Sequence, residues 1–268
     1  MLLPARNPVP EETKEMIISK IVVLFIIYGL LGWIYETTYC TITNGQWKNR
    51  GFLFGPVCPI YGIGAIAMSA VLYLVHSNGV EMKPWQVFVI SVIGSAILEF
   101  ATSWILEKLF HAVWWDYSKL PFNLQGRISL FTSLGFGFGG LLVVYVIAPF
   151  VESQVNQFQP LMIELFSLIL LSLLIADLTL TVTVLHHFDQ FVVEAQDEFN
   201  HNMSSIVEGT VRRTSQLKTD IGETKHSLKK RFESMGGYFH GTLRRVSNFK
   251  DKNESMESAR KSLLSFIK

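Results

Sequence analysis

Residues 161–185 read LMIELFSLILLSLLIADLTLTVTVL, an apolar run in which Glu164 and Asp177 are the two charged side chains. A helix that crosses the hydrocarbon core of a bilayer needs about 20 mostly apolar residues. Four more runs of similar character occupy residues 17–40, 59–76, 85–109 and 128–150. The sequence therefore predicts an all-α integral membrane protein with about five transmembrane helices.

Charge is distributed unevenly along the 268 residues, of which 49% are hydrophobic and 17% charged. From Asp189 onward the chain carries 14 of its 23 Lys and Arg and 11 of its 22 Asp and Glu. This break predicts an N-terminal tail (1–16), a five-helix transmembrane domain (17–189) and a charged, soluble, helical C-terminal tail (190–268). A net charge of +1 without a nucleic-acid motif argues against a nucleic-acid partner.

Five spans place the two termini on opposite faces of the bilayer. The short segments beside the spans carry four basic residues on the N-terminal face and five on the other face. Basic residues favour the cytoplasmic side of the membrane, but the numbers on the two faces are nearly equal. The basic clusters of the tail, such as Arg244–Arg245, add to the C-terminal face. We expect a cytoplasmic C-terminus.

Ionisable side chains inside the predicted spans are the first candidates for function. Glu36, Glu99, Glu107 and Asp177 lie in helices 1, 3 and 5, where an ionised residue costs about 2.5 to 3.5 kcal/mol near the centre. At about 1.5 Å per residue, Glu99 lies near the midplane and the other three lie on its C-terminal side. Such residues require partners or water.

Two arginines in the connecting loops belong to the same face of the bilayer. Arg50 and Arg127 lie in the loops after helices 1 and 3, and we expect each to pair with at least one of Glu36, Glu99, Glu107 and Asp116. Three roles stay open for this cluster: structural ion pairs, a site for a solute, ion or lipid head group, or catalysis by paired carboxylates.

Helix 3 carries polar side chains every fourth residue and helix 4 carries small ones. Residues at this spacing share one face of a helix, and small residues permit close approach between membrane helices. We expect the two faces to point inward. The residues concerned are Ser91, Ser95, Glu99, Ser103 and Glu107 in helix 3, and Ser129, Ser133, Gly137 and Gly140 in helix 4.

The loop after helix 1, residues 49–62, reads NRGFLFGPVCPIYG. It is too apolar for bulk water and too rich in Pro and Gly for a plain helix. Irregular backbone at membrane depth is tolerated where protein buries it or where it lines a cavity. We therefore predict a re-entrant-like loop here.

Several motifs resemble the ABC-transporter type IV family of bacterial membrane proteins, the CmpB-like permeases. They are GWIYE at residues 32–36, the 49–62 loop, Glu99 with Glu107, and WDYS at 115–118 followed by Gly126 and Arg127. The resemblance implies a permease of the bacterial cell membrane. Motif residues that it adds to the candidate site are Trp33, Asn49, Asp116 and Asn123.

The sequence contains no nucleotide-binding or catalytic motif of a known kind. It has neither GxxxxGK[ST] nor HExxH, so any ATPase would be a separate subunit. Cys40 and Cys58 lack metal-ligand spacing, and no cofactor or metal is expected. We do not predict an enzyme, although an intramembrane lipid-handling enzyme is a weaker alternative.

Apolar residues in the tail recur at helical spacing, but their partner is not specified. An amphipathic helix packs on itself, on a second copy of the chain, on lipid or on a cytoplasmic partner. The main alternative to a permease is therefore a scaffold or regulator whose tail recruits partners. The recurring residues are Leu217, Ile221, Leu228, Phe232, Met235, Phe239, Leu243, Val246 and Phe249.

Overall fold

The computed structural model describes residues 11–45, 49–209, 226–227, 229–250 and 254–264. Its helices are α1 (Glu11–Asn44), α2 (Pro59–Ser77), α3 (Pro84–Phe110), α4 (Leu130–Leu142), α5 (Ala148–Val155), α6 (Pro160–Gly209), α7 (Gly237–Leu243) and α8 (Glu254–Leu264). The strands are β1 (Ala112–Val113), β2 (Asn123–Leu124), β3 (Ile128–Ser129) and β4 (Asn248–Phe249). The first ten residues of the predicted N-terminal tail, and Leu217, Ile221 and Leu228 of the predicted tail face, lie outside the described residues.

Within the described residues, five helical segments are long and apolar enough to cross a membrane. Their exposed side chains are largely apolar, as expected of surfaces that face lipid. The prediction of an all-α membrane protein with five spans is confirmed. The segments are Ile17–Thr43, Pro59–Ser77, Pro84–Phe110, Leu130–Val155 and Pro160–Glu194.

The fourth span begins two residues later than predicted and contains a π-helical turn. Residues 128–129 pair with β2 as strand β3, so the helix begins at Leu130. Pro149 has no backbone N–H to donate to the preceding turn. The chain widens to a π-helix over Val143–Ile147, where the Ala148 N–H donates to the Val143 carbonyl. This turn joins α4 and α5 into one membrane-spanning segment.

The fifth span continues as one helix well past the apolar run. We predicted the span to end at residue 185, whereas α6 continues to Gly209. The predicted domain boundary at residue 189 therefore falls inside a continuous helix. The three-part division of the chain itself stays a prediction.

The chain forms two compact units. The first contains Met1–Phe100 and Tyr117–Leu178, and the second contains Ala101–Asp116 and Thr179–Lys268. The core of the first unit combines side chains of α1, α5 and the start of α6. They are Val23, Leu24, Tyr28, Val151, Val155 and Ile163.

Small residues bring helices of the first unit close together, as the stripe on helix 4 predicted. A Cβ built at Gly140 would lie 2.1 Å from Ser91 Oγ, and one at Gly137 would lie 2.7 Å from the Phe88 ring. Such distances leave no room for a larger residue. The predicted face of helix 4 therefore contacts the Ser91 region of α3.

The second unit has an aromatic core to which the C-terminal segment contributes. The Phe188 ring of α6 lies 5.2 Å from the Phe249 ring and 6.1 Å from the Phe232 ring, centroid to centroid. Strand β4 pairs antiparallel with β1, with Ala112 opposite Phe249. The buried Arg260 guanidinium of α8 pairs with the Asp189 carboxylate of α6.

Candidate functional site

Two carboxylates of the first unit each accept a hydrogen bond from a tyrosine hydroxyl. The Tyr61 hydroxyl of α2 donates to Glu36 Oε1 of α1 at 2.6 Å. The Tyr117 hydroxyl, in the loop after α3, donates to Glu99 Oε1 at 3.2 Å. Each acid therefore has one oxygen that accepts a hydrogen bond from a phenol.

The second oxygen of Glu99 has a different environment. The Glu99 side chain is 5% exposed, and its Oε2 is buried without a hydrogen-bond partner among the described residues. A buried carboxylate oxygen without a donor is costly, because it has lost its hydration without replacement. In the first unit, this oxygen is the strongest indication of a side chain that binds a ligand.

Electrostatics link the two carboxylates to one another through Tyr117. Burial raises the pKa of the Tyr117 phenol well above its usual range, and the negative charges of Glu99 and Glu36 raise it further. The positive charge of Arg50 acts in the opposite direction on the same pKa. Glu36, Glu99 and Arg50 therefore act on one hydroxyl group, and we call these residues with Tyr61 and Tyr117 the carboxylate site.

The position of Tyr61 in this site depends on two glycines of the helix pair α1 and α2. A Cβ at Gly32 would lie 2.2 Å from Tyr61 Cγ, and a Cβ at Gly62 would lie 2.7 Å from the Phe25 ring. The backbone of the loop reinforces this contact, since the Cys58 N–H donates to the Gly29 carbonyl at 2.9 Å. Close helix packing thus places Tyr61 beside Glu36.

The two arginines make contacts near the carboxylates. The backbone N–H of Arg50 faces Thr37 Oγ1 at 3.4 Å, and the Arg127 guanidinium lies 5.7 Å from the centre of the Phe100 ring. Arg127 Nε also donates to Gln125 Oε1 at 3.3 Å. Pairing of each arginine with a carboxylate of the predicted set stays a prediction.

Three of the polar motif residues hold loop structure. The Trp33 indole N–H donates to Asn49 Oδ1 at 2.8 Å, which joins α1 to the first loop. Asn123 Nδ2 donates to the Leu120 carbonyl at 2.7 Å, and Asn123 Oδ1 accepts from the Gly126 N–H at 3.1 Å. These contacts shape the loops on either side of the site.

Asp177 of α6 binds the backbone of the first loop. Its two carboxylate oxygens accept from the Phe54 and Gly55 N–H groups, each at 2.8 Å. The neighbouring Leu53 is 1% exposed. The irregular segment predicted as re-entrant-like is thus packed inside the first unit, and Asp177 satisfies two of its backbone donors. A role of Asp177 in binding a ligand stays a prediction.

Replacing Asp177 with asparagine should loosen the first loop. The asparagine side chain is neutral and has one acceptor oxygen for two N–H donors. One donor therefore keeps a weaker hydrogen bond and the other loses its acceptor. We expect the free energy of unfolding to fall by about 2 kcal/mol, with faster hydrogen exchange at the Phe54 and Gly55 amides. The matched control is Asp197→Asn, the same change at an exposed position of α6. Equal exchange in both variants would contradict the anchoring role.

Glu107 and Asp116, the remaining candidates, belong to the second unit. Glu107 lies in the last turn of α3, where its backbone carbonyl accepts from the His111 N–H at 2.9 Å. Asp116 lies two residues after the buried Trp114. Their membership in the site stays a prediction.

Sequence reasoning missed the two tyrosines. Tyr61 and Tyr117 both lie inside the motifs quoted above, but the search for partners considered only charged groups. A phenol is a good donor to a carboxylate at membrane depth, because it brings a hydrogen bond without a second charge. Among the described residues, no group of three or more His, Cys, Asp or Glu is arranged to hold a metal ion.

Comparison with known protein families gives one match. The family model described as Putative ABC-transporter type IV matches residues 23–182, which is more than half of the chain. The matched range includes Glu36, Tyr61, Glu99 and Tyr117. Comparison with curated proteins and with solved structures gives no match.

Proposed function

The chain belongs to the ABC-transporter type IV family, and on this premise we propose that its carboxylate site binds a small polar solute or ion for transport. The family and the five apolar helices identify a membrane protein of transporter type. The observation that carries the proposal is the buried Glu99 oxygen without a partner among the described residues. Intramembrane carboxylates of this kind mark solute and ion pathways.

The alternative, that these carboxylates only stabilise the fold, explains the site less well. A carboxylate that only fixes the fold would use both of its oxygens, as Asp177 does with Phe54 and Gly55. Glu99 instead keeps one oxygen for which the described residues offer no donor. This contrast between two acids of the same unit favours a binding role for Glu99 and a structural role for Asp177.

We also propose an energy source and an orientation for the chain. The sequence has no Walker motif, so an ABC-type transporter would require a separate ATPase subunit. We place the chain in the bacterial cell membrane with the C-terminus in the cytoplasm, where such a subunit works. The tail is then available to a cytoplasmic partner or a second copy of the chain.

Replacing Glu99 with glutamine should abolish solute binding and leave the fold intact. Glutamine preserves the shape and still accepts a hydrogen bond from Tyr117, but it removes the negative charge. The protein is purified in detergent and its melting temperature is measured with a panel of sugars, amines, carboxylates and inorganic ions. We expect at least one solute class to stabilise the wild type, by mass action, and not the variant.

The control for this experiment is Glu81→Gln, the same change at an exposed position between α2 and α3. It should retain the wild-type response. If Glu99→Gln instead lowers the melting temperature strongly without ligand, as expected when a partner of a buried pair is removed, the scaffold reading is favoured. A response equal to that of the wild type would exclude Glu99 from the site.

A further inference from the structure

The hydrogen-bonding state of the carboxylate site restricts the chemistry of its ligand. Glu99 has one oxygen bound to the Tyr117 hydroxyl and one buried oxygen without a partner among the described residues. A carboxylate oxygen accepts hydrogen bonds and donates none when ionised. For the ionised acid, the missing partner is therefore a donor, either N–H or O–H.

Glu36 of α1 is the second acid of the carboxylate site. Its Oε1 accepts from the Tyr61 hydroxyl at 2.6 Å, whereas the contact of its Oε2 is the Cys40 thiol at 4.0 Å. A thiol is a weak donor even at shorter distance. Glu36 Oε2 therefore has a weaker donor than Glu36 Oε1, and Glu99 Oε2 has no donor among the described residues.

The charge of these acids favours a cation over a neutral hydroxyl compound. In a medium of low dielectric constant, a positive group offsets the cost of a buried carboxylate far better than a neutral donor does. A monovalent cation with several N–H donors meets both requirements.

The surroundings of Glu36 suit an organic cation more than a metal ion. The Tyr61 ring lies 6.1 Å from the Phe136 ring and 6.3 Å from the Tyr35 ring, centroid to centroid. Aromatic faces attract organic cations, and aromatic edges pack on their alkyl groups. A divalent metal ion would instead require about six oxygen ligands, whereas an ammonium group has three N–H donors to satisfy.

We propose that the carboxylate site binds a small organic amine in its protonated form, with its ammonium group between Glu99 and Glu36. This assignment rests on the proposed function and names its substrate class. The buried Glu99 Oε2 receives one N–H, Glu36 receives another, and the aromatic rings of α1, α2 and α4 contact the alkyl part.

Four probes of similar size separate the features of such a ligand. Propylammonium has a charge and N–H donors, tetramethylammonium has a charge without them, propanol has a donor without a charge, and propionate has the opposite charge. Full-length protein in detergent is titrated with each probe in an amine-free buffer at pH 7, at constant sodium chloride. The melting temperature is the readout.

We expect propylammonium to raise the melting temperature with saturation, and the other three probes to have little effect. In Glu99→Gln the apparent affinity for propylammonium should fall at least about tenfold, since a charge-assisted hydrogen bond is lost. Glu81→Gln should retain it. The wild-type series alone decides the question if the Glu99 variant does not fold.

The assignment is overturned if propylammonium does not stabilise the wild type, or if tetramethylammonium, propanol or propionate does so equally. A different solute that stabilises the protein through Glu99 would leave the proposed function standing and refute only the amine. Stabilisation by propylammonium that is unchanged in Glu99→Gln would refute both.

Discussion

Replacing Phe232 with alanine is expected to lower the stability of the second unit by about 3 to 5 kcal/mol. The Phe232 side chain is completely buried and lies among the rings of Phe188, Phe191 and Phe239, with centroid distances of 5.8 to 6.1 Å. Truncation removes these contacts and leaves a cavity that tightly packed aromatic neighbours fill only in part. This change should have the largest effect of any single substitution considered for this chain.

Hydrogen exchange at two amides reports this loss directly. The Ser247 N–H donates to the Val113 carbonyl and the Lys250 N–H donates to the His111 carbonyl, so both are protected while β4 stays paired with β1. Because each 1.4 kcal/mol is a factor of ten, exchange at these amides should accelerate by about a hundredfold or more. The control is Phe122→Ala, where the ring is 77% exposed. Unchanged protection of Ser247 and Lys250 would show that Phe232 does not hold this unit together.

The tail illustrates what a periodic pattern predicts and what it does not. Of the described residues that the apolar spacing selected, Met235 is half-buried and the other five are buried, namely Phe232, Phe239, Leu243, Val246 and Phe249. The partner was not readable, because amphipathic periodicity is the same for a helix that packs on its own chain, on a twin or on lipid. Pairing between Ala112 and Phe249 joins segments more than a hundred residues apart, and nothing local in either sequence indicates the other.

In the membrane-spanning part, too, features that depend on local sequence were predictable and others were not. Length and apolarity sufficed for five spans, and the small residues of helix 4 indicated its close contact with α3. The end of α6 at Gly209 was not predictable from hydropathy, because a helix continues in water after its apolar run ends. The π-helical turn before Pro149 was not predictable either. Proline has no backbone N–H, but the sequence does not show how the preceding turn rearranges its hydrogen bonds.

The candidate residues of the site were predicted from their charge and their depth in the membrane. The hydrogen bonds that they make were not predicted. Glu36 and Glu99 were selected because ionised groups at membrane depth require partners. Their tyrosine partners were missed, since the phenols carry no charge. Asp177 was selected by the same argument as Glu99, yet it binds backbone N–H groups of the first loop. Backbone donors exist at every residue except proline, so the sequence gives no sign of which ones an acid will meet.

Replacing Gly32 with alanine is expected to lower the free energy of unfolding by about 3 kcal/mol, at the upper end of the usual cost of overpacking. The added Cβ would lie 2.2 Å from Cγ and 2.5 Å from Cβ of Tyr61. Tyr61 Cβ is bonded directly to the backbone of α2, so a rotamer change moves Cγ but cannot relieve the clash with Cβ, and the two helices must separate. The melting temperature in detergent measures the loss.

Gly94→Ala is the matched control, because a Cβ there meets nothing within 4 Å and alanine favours a helix by up to about 1 kcal/mol over glycine. It should melt at or slightly above the wild-type temperature. Gly32→Ala should also weaken ligand binding, since displacement of Tyr61 removes the donor to Glu36 Oε1. A Gly32→Ala protein with wild-type stability would mean that α1 and α2 do not pack at this contact. A protein that melts lower but binds with unchanged affinity would separate the helix contact from the carboxylate site.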